Sequence, residues 1–106
     1  MNMHDTIHQK VNAHSVVLYM KGTPQFPQCG FSGSTVQMLK ACGVRDLTAI
    51  DVLADADIRA GIKAYSNWPT IPQLYVKGEL VGGADIVREL YQTGELQTLL
   101  DDSIAR

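Results

Sequence analysis

The chain has 106 residues, a formal net charge of −2, and 45% hydrophobic and 19% charged side chains, which suits a single folded domain over residues 1–106 and excludes a disordered chain. The slight negative charge argues against a nucleic-acid binder, and no apolar run approaches the ~18 residues of a membrane span. Two cysteines are too few for a disulfide framework or, by themselves, for a four-ligand structural zinc.

The first residues, Met1 to His8, show neither a basic segment followed by a long apolar one nor an Arg-rich bias, so the expected compartment is the reducing cytoplasm. Met3, Ile7 and Val11 recur at i, i+4 and i+8 and predict a short first helix. Ser15 to Met20 is a compact apolar run ended by Lys21-Gly22 and reads as a buried strand. Residues 22–28 form a loop in which Pro24 and Pro27 fix φ and remove donors. A second helix is predicted from near Cys29 to Gly43, with Thr35, Met38, Leu39 and Cys42 on its buried stripe.

Leu47 to Val52 reads as a second strand, and Ile58, Ile62 and Tyr65 mark a third helix. Pro72 to Val76 and Glu79 to Val81 bracket Lys77-Gly78, a hairpin signal. Asp85 to Thr93 is helical, with Ile86, Val87 and Leu90 inward and Gly94 as its stop. Leu96, Leu99, Leu100 and Ile104 mark a terminal helix. A βαβ unit requires a right-handed crossover, and the later hairpin adds antiparallel strands. The expected fold is α/β: a mixed sheet of about four strands covered by helices on both faces, a thioredoxin-like architecture.

Cys29 is the residue with chemistry to explain. It stands where a loop from a strand enters a helix. Free N–H groups and the helix dipole there favour an anion, and Lys21 adds positive charge, so the thiol pKa is expected below the ordinary ~8.5. A dithiol motif needs a second cysteine three residues on, and that place is Ser32. Cys42 lies thirteen residues downstream, about 20 Å along a helix, beyond the ~7 Å Cα separation a disulfide allows. It also falls on the apolar stripe and reads as core. Only one thiol is left for chemistry, and any disulfide it makes needs a thiol from outside.

Other polar positions are ambiguous on the residues alone. Arg59 and Lys63, four apart on the third helix, are either a solvated basic face or a pair near an anion. Gly82-Gly83 before Asp85 is either a turn with a first-turn acid or a close approach for a ligand at a helix N-terminus. His4 and His8 offer a metal only two ligands, so a polar helix face is expected. Trp68 reads as a packing residue, and Tyr19 and Tyr75 as strand core.

Lys21-Gly22-Thr23-Pro24, then Pro27, then Cys29-Gly30-Phe31-Ser32 resembles the signature of monothiol glutaredoxins of the Cys-Gly-Phe-Ser class. Trp68-Pro69-Thr70-Ile71-Pro72-Gln73 and Gly82-Gly83-Ala84-Asp85 match in the same order, so the resemblance covers nearly the whole chain. It implies a cis-proline at Pro72 facing Cys29, with the main chain of Ile71 free to pair with an extended peptide thiol. It implies glutathione as that ligand, held by Lys21, Arg59, Ile71, Pro72, Gly83, Ala84 and Asp85. Ala84 departs from the cysteine or serine often found there and leaves main-chain contacts only.

A [2Fe–2S] cluster takes four ligands, usually thiolates. One Cys29 and one glutathione per subunit supply two, so a glutathione-bridged homodimer completes the set. The resemblance thus implies a carrier in iron–sulfur cluster biogenesis, with BolA-type proteins and apo iron–sulfur proteins as partners. The alternative is a glutathione-dependent thiol–disulfide oxidoreductase, in which Cys29 attacks a glutathione mixed disulfide and a second glutathione resolves it.

Overall fold

The structure, a computed structural model, describes residues 2–104, with side-chain surroundings through Asp101. Its elements are α1 (Met3–Ala13), β1 (Val16–Met20), α2 (Gly30–Ala41), β2 (Thr48–Asp51), α3 (Ala56–Ser66), β3 (Gln73–Val76), β4 (Glu79–Gly82), α4 (Ala84–Thr93) and α5 (Glu95–Ile104). This is the order expected from the sequence. No helix among the described residues is long and apolar enough to cross a membrane.

The strands form one sheet in the order β2-β1-β3-β4. β1 runs parallel to β2, while β3 is antiparallel to both β1 and β4. The β3–β4 connection is Lys77-Gly78, with φ 53 and 81. Positive φ at both central residues is what a tight hairpin with native twist requires, and glycine supplies it without strain.

β1 is buried along its whole length because each face of the sheet carries its own apolar layer. Val16, Leu18 and Met20 join Leu74 and Val76 under Val36 and Leu39 of α2, Cys42 just past its end, Val87 of α4, and Leu96 and Leu100 of α5. Val17 and Tyr19 point the other way, with Tyr75, under Ile7 and Val11 of α1 and Ile62 of α3. The period-two alternation of a strand thus feeds two cores. Truncating a fully buried leucine such as Leu18 or Leu74 is worth about 2–5 kcal/mol.

Tyr19 and Tyr75 are core as expected, packed edge to face with centroids 5.9 Å apart. Burial pushes the Tyr75 hydroxyl up to about 12 and that of Tyr19 further. On α4 only Val87 is fully buried, and Ile86 and Leu90 are half-buried, because Ile86 faces a groove and Leu90 the seam with α5. The side chain of Ile104, expected on the terminal stripe, lies outside the described residues.

Candidate functional site: a thiol at an open helix N-terminus

Two helices begin with side-chain caps. Asn2 accepts from the Asp5 N–H at the start of α1, and Asp55 accepts from the Asp57 and Ile58 N–H groups at the start of α3. α2 and α4 begin without one: their N-cap residues are Cys29 and Gly83, and neither forms a side-chain cap hydrogen bond. Uncapped first-turn N–H groups and the positive end of the dipole suit an anion.

At α2 the group facing those N–H donors is the Cys29 sulfur. The Ser32 N–H lowers its pKa most; partial burial opposes this, and the Phe31 N–H, the Lys21 charge and the Ser32 hydroxyl add to the lowering. The direction is the one the sequence predicted, with Lys21 among its causes. Sequence reading placed Ser32 in the Cys-Gly-Phe-Ser signature and at the site of an absent second cysteine, but assigned it no role at the thiol. Ser32 is fully buried, and its Oγ accepts the Lys21 N–H at 3.1 Å. It therefore ties the end of β1 to the first turn of α2 while facing the thiol. Three residues after a helix cap is one turn on, and that spacing was the available signal.

Cys42 is the C-cap of the same helix, at its opposite end. It is buried, burial and then Asp101 push its pKa up, and both cysteines are free thiols.

The segment leading to Cys29 is a small ordered hairpin. The Phe26 N–H donates to the Thr23 carbonyl at 3.1 Å, closing a turn with Pro24 inside it, and the Gln28 N–H donates to the Lys21 carbonyl at 2.9 Å. Gly22 bridges to Pro27, and its N–H donates to Asp51 Oδ1 at 2.9 Å. Asp51 also accepts the Leu53 N–H at 2.9 Å, so one carboxylate at the end of β2 anchors the base of this hairpin. The sequence did not single out Asp51. The hairpin tip carries Phe26, 75% exposed, and Phe31 on the first turn of α2 is 56% exposed.

Beside the thiol-bearing turn lies a cavity of about 220 Å³. One wall is Phe31 with Trp68, Thr70, Ile71 and Pro72; the other is Gly83, Ala84, Asp85 and Ile86 at the start of α4. The Ile71–Pro72 peptide bond is cis. A Cβ built on Gly83 would stand 3.3 Å from Trp68 Nε1 and 3.4 Å from the Pro72 carbonyl oxygen, so the two walls approach closely there.

The structure thus brings Ile71, Pro72, Gly83, Ala84 and Asp85 together in one groove, with Lys21 acting on Cys29 at its side. Arg59 is exposed on the second turn of α3 and is not among the groove-lining residues; Lys63 is half-buried. Trp68 packs as groove wall: it is 37% exposed and lines the cavity opposite Gly83. His4 and His8 lie on the polar side of α1 but are not merely solvated: both rings pack near Tyr65, and His8 Nδ1 is 3.1 Å from its hydroxyl.

This sheet order, with a free thiol heading the first helix after β1, places the chain in the thioredoxin-like fold class. A family model described as Glutaredoxin matches residues 16–81. A protein of Synechocystis named as a monothiol glutaredoxin ycf64-like is 59% identical over 99 residues, spanning 93% of this chain and 92% of that one. Glutaredoxin 4 of Escherichia coli K12 is 51% identical over 102 residues, spanning 96% and 88%. The solution structure of reduced poplar apo GrxS14 superposes with a TM-score of 0.82 at 45% identity, covering 96% of this chain and 93% of that one. The chain belongs to the monothiol glutaredoxins.

Proposed function

We propose that the chain binds a [2Fe–2S] cluster as cargo in a homodimer, with Cys29 and one glutathione from each half as ligands, and passes it to apo iron–sulfur proteins. The observation that carries this reading is the thiol inventory: one accessible, anion-favouring thiol at an open helix N-terminus and a second sealed in the core. Four ligands are needed and each copy supplies one, so the remaining two come from outside the protein. A cluster half-held by exchangeable small molecules suits a protein that hands it over. BolA-type proteins are the further partners this assembly accommodates, in place of one copy.

The groove chemistry supports glutathione as the co-ligand. Its apolar floor at Ile71 and Pro72 suits an extended tripeptide. The uncapped N-terminus of α4 suits the γ-glutamyl carboxylate, and Asp85 its ammonium group. Lys21 and Arg59 are the cations assigned to the glycyl carboxylate; neither is among the groove-lining residues, and Arg59 is exposed.

The lowered thiol pKa also favours a second reading, monothiol oxidoreductase chemistry. The Cys29 thiolate attacks the glutathionyl sulfur of a mixed disulfide, and the other thiolate leaves and takes up a proton. A second glutathione thiolate then attacks that sulfur, releasing oxidised glutathione and restoring Cys29.

Anaerobic reconstitution with ferrous iron, sulfide and glutathione separates the readings. Visible cluster absorbance with a shift to dimer, lost in Cys29→Ser and kept in Cys42→Ala, is the expected result. A colourless monomer that rapidly reduces a small glutathione mixed disulfide would favour the second reading.

A further inference from the structure

Gln73 opens β3 and is fully buried, a position where a primary amide is costly unless its hydrogen-bonding groups are paired. Here both ends are occupied. Nε2 donates to the carbonyls of Trp68 at 3.0 Å and Thr70 at 3.2 Å. Oε1 accepts from the Tyr75 hydroxyl at 3.2 Å. Two carbonyls on one side and a hydroxyl on the other fix which end of the amide faces which way.

The carbonyls it holds belong to residues 68–71, which link α3 to β3 and lie in neither. The near end of this strap is tied by the Trp68 N–H donating to Ser66 Oγ at 3.0 Å. Ser66 Oγ also lies 3.4 Å from the Trp68 carbonyl oxygen, so Gln73 shares that carbonyl with Ser66 and reaches further along the strap to the Thr70 carbonyl. Trp68, Thr70 and Ile71 of the strap are groove wall, and the Trp68 indole abuts Gly83 across the groove. Any drift of the strap therefore changes both the groove width and the position of the Ile71 main chain.

We infer that Gln73 is a positioning residue: its two N–H groups hold the 68–71 strap from inside the core and so set the groove for the peptide thiol that occupies it. The identity of that ligand rests on the proposed function; the grip on the strap does not.

The chain has one tryptophan, so Trp68 emission reports on the strap directly. Gln73→Leu removes both donors, and Gln73→Glu turns a carboxylate toward the two carbonyls. Tyr75→Phe removes the partner on the other side and keeps both strap bonds. In folded, ligand-free protein, both Gln73 variants should at least double acrylamide quenching of Trp68. They should weaken glutathione binding about tenfold, the equivalent of about 1.4 kcal/mol. The pH midpoint of Cys29 alkylation should not move, and Tyr75→Phe should match the parent in all three readouts.

A folded Gln73→Leu protein with unchanged quenching and unchanged glutathione affinity would overturn the inference. Raised quenching in a protein whose parent binds no glutathione would refute the ligand and uphold the grip. If neither Gln73 variant folds, the parent protein decides: slow exchange of the Gln73 side-chain amide protons with water supports the assignment, and exchange at the rate of a free amide contradicts it.

Discussion

Replacing Gly22 with alanine should unfold the approach to Cys29 at a cost that follows from the geometry. Gly22 has φ +88, and a Cβ there would stand 2.5 Å from the Phe26 carbonyl oxygen and 2.6 Å from the Gln28 nitrogen. The left-handed conformation alone costs a non-glycine residue about 1–2 kcal/mol. The clash is with main chain on both sides, so relief must come from opening the hairpin. That strains the Gln28-to-Lys21 hydrogen bond at 2.9 Å and the Thr23-to-Phe26 bond at 3.3 Å, each worth about 1 kcal/mol. The expected loss is about 3–4 kcal/mol, which for a chain of this size lowers the melting temperature by roughly 12–30 °C. Circular dichroism melting measures it. Iodoacetamide alkylation at graded pH should show the Cys29 midpoint moving up as Lys21 shifts. Gly30→Ala is the control, because a Cβ there meets nothing within 4 Å. It should stay within about 0.5 kcal/mol of the parent. A Gly22→Ala protein that melts within about 4 °C of the parent would refute the argument.

Ser32→Ala should raise the alkylation midpoint of Cys29 and, by orphaning the Lys21 N–H, cost about 1–3 kcal/mol of stability by urea denaturation. In the parent, the folded thiol pKa is depressed, so Cys29 adds stability at pH above the ordinary thiol value and loses it as pH falls through the folded one. Reactivity falls in the same window, and a midpoint at or above ~8.5 would contradict the assignment. Lys21→Gln should weaken glutathione binding about two- to fivefold, the scale of an exposed ion pair, with the deficit shrinking in high salt; isothermal titration calorimetry tests it. Cys42→Ala should leave Cys29 alkylation unchanged and cost about 1 kcal/mol in melting experiments, since its sulfur only fills core.

The elements were legible because the chain writes its periodicities plainly. The 3–7–11 stripe of α1 and the Lys77-Gly78 turn each have one good structural solution. Cys29 was legible because a cysteine at a helix start has no better structural reason, and Cys42 because it shares a stripe with Met38 and Leu39. What escaped notice acts across the fold. Asp51 is far from Gly22 in sequence and meets it only because β1 and β2 pair with Met20 opposite Asp51. Gln73 sits in a strand that otherwise reads as apolar, and its partners lie in a segment with no period of its own. Trp68 was legible only as a packing residue, since nothing in the residues around it says that the surface it packs against is the far wall of a groove.

In the proposed cluster-bound dimer, each copy of the chain brings one thiolate and one glutathione brings the other. Counting isotope-labelled glutathione in the reconstituted protein by native mass spectrometry under anaerobic conditions tests it most directly. One cluster, two protein chains and two glutathione molecules in a single species, absent when Cys29 is replaced by serine, is the expected result. A cluster held without glutathione, or held by a single chain, would contradict it.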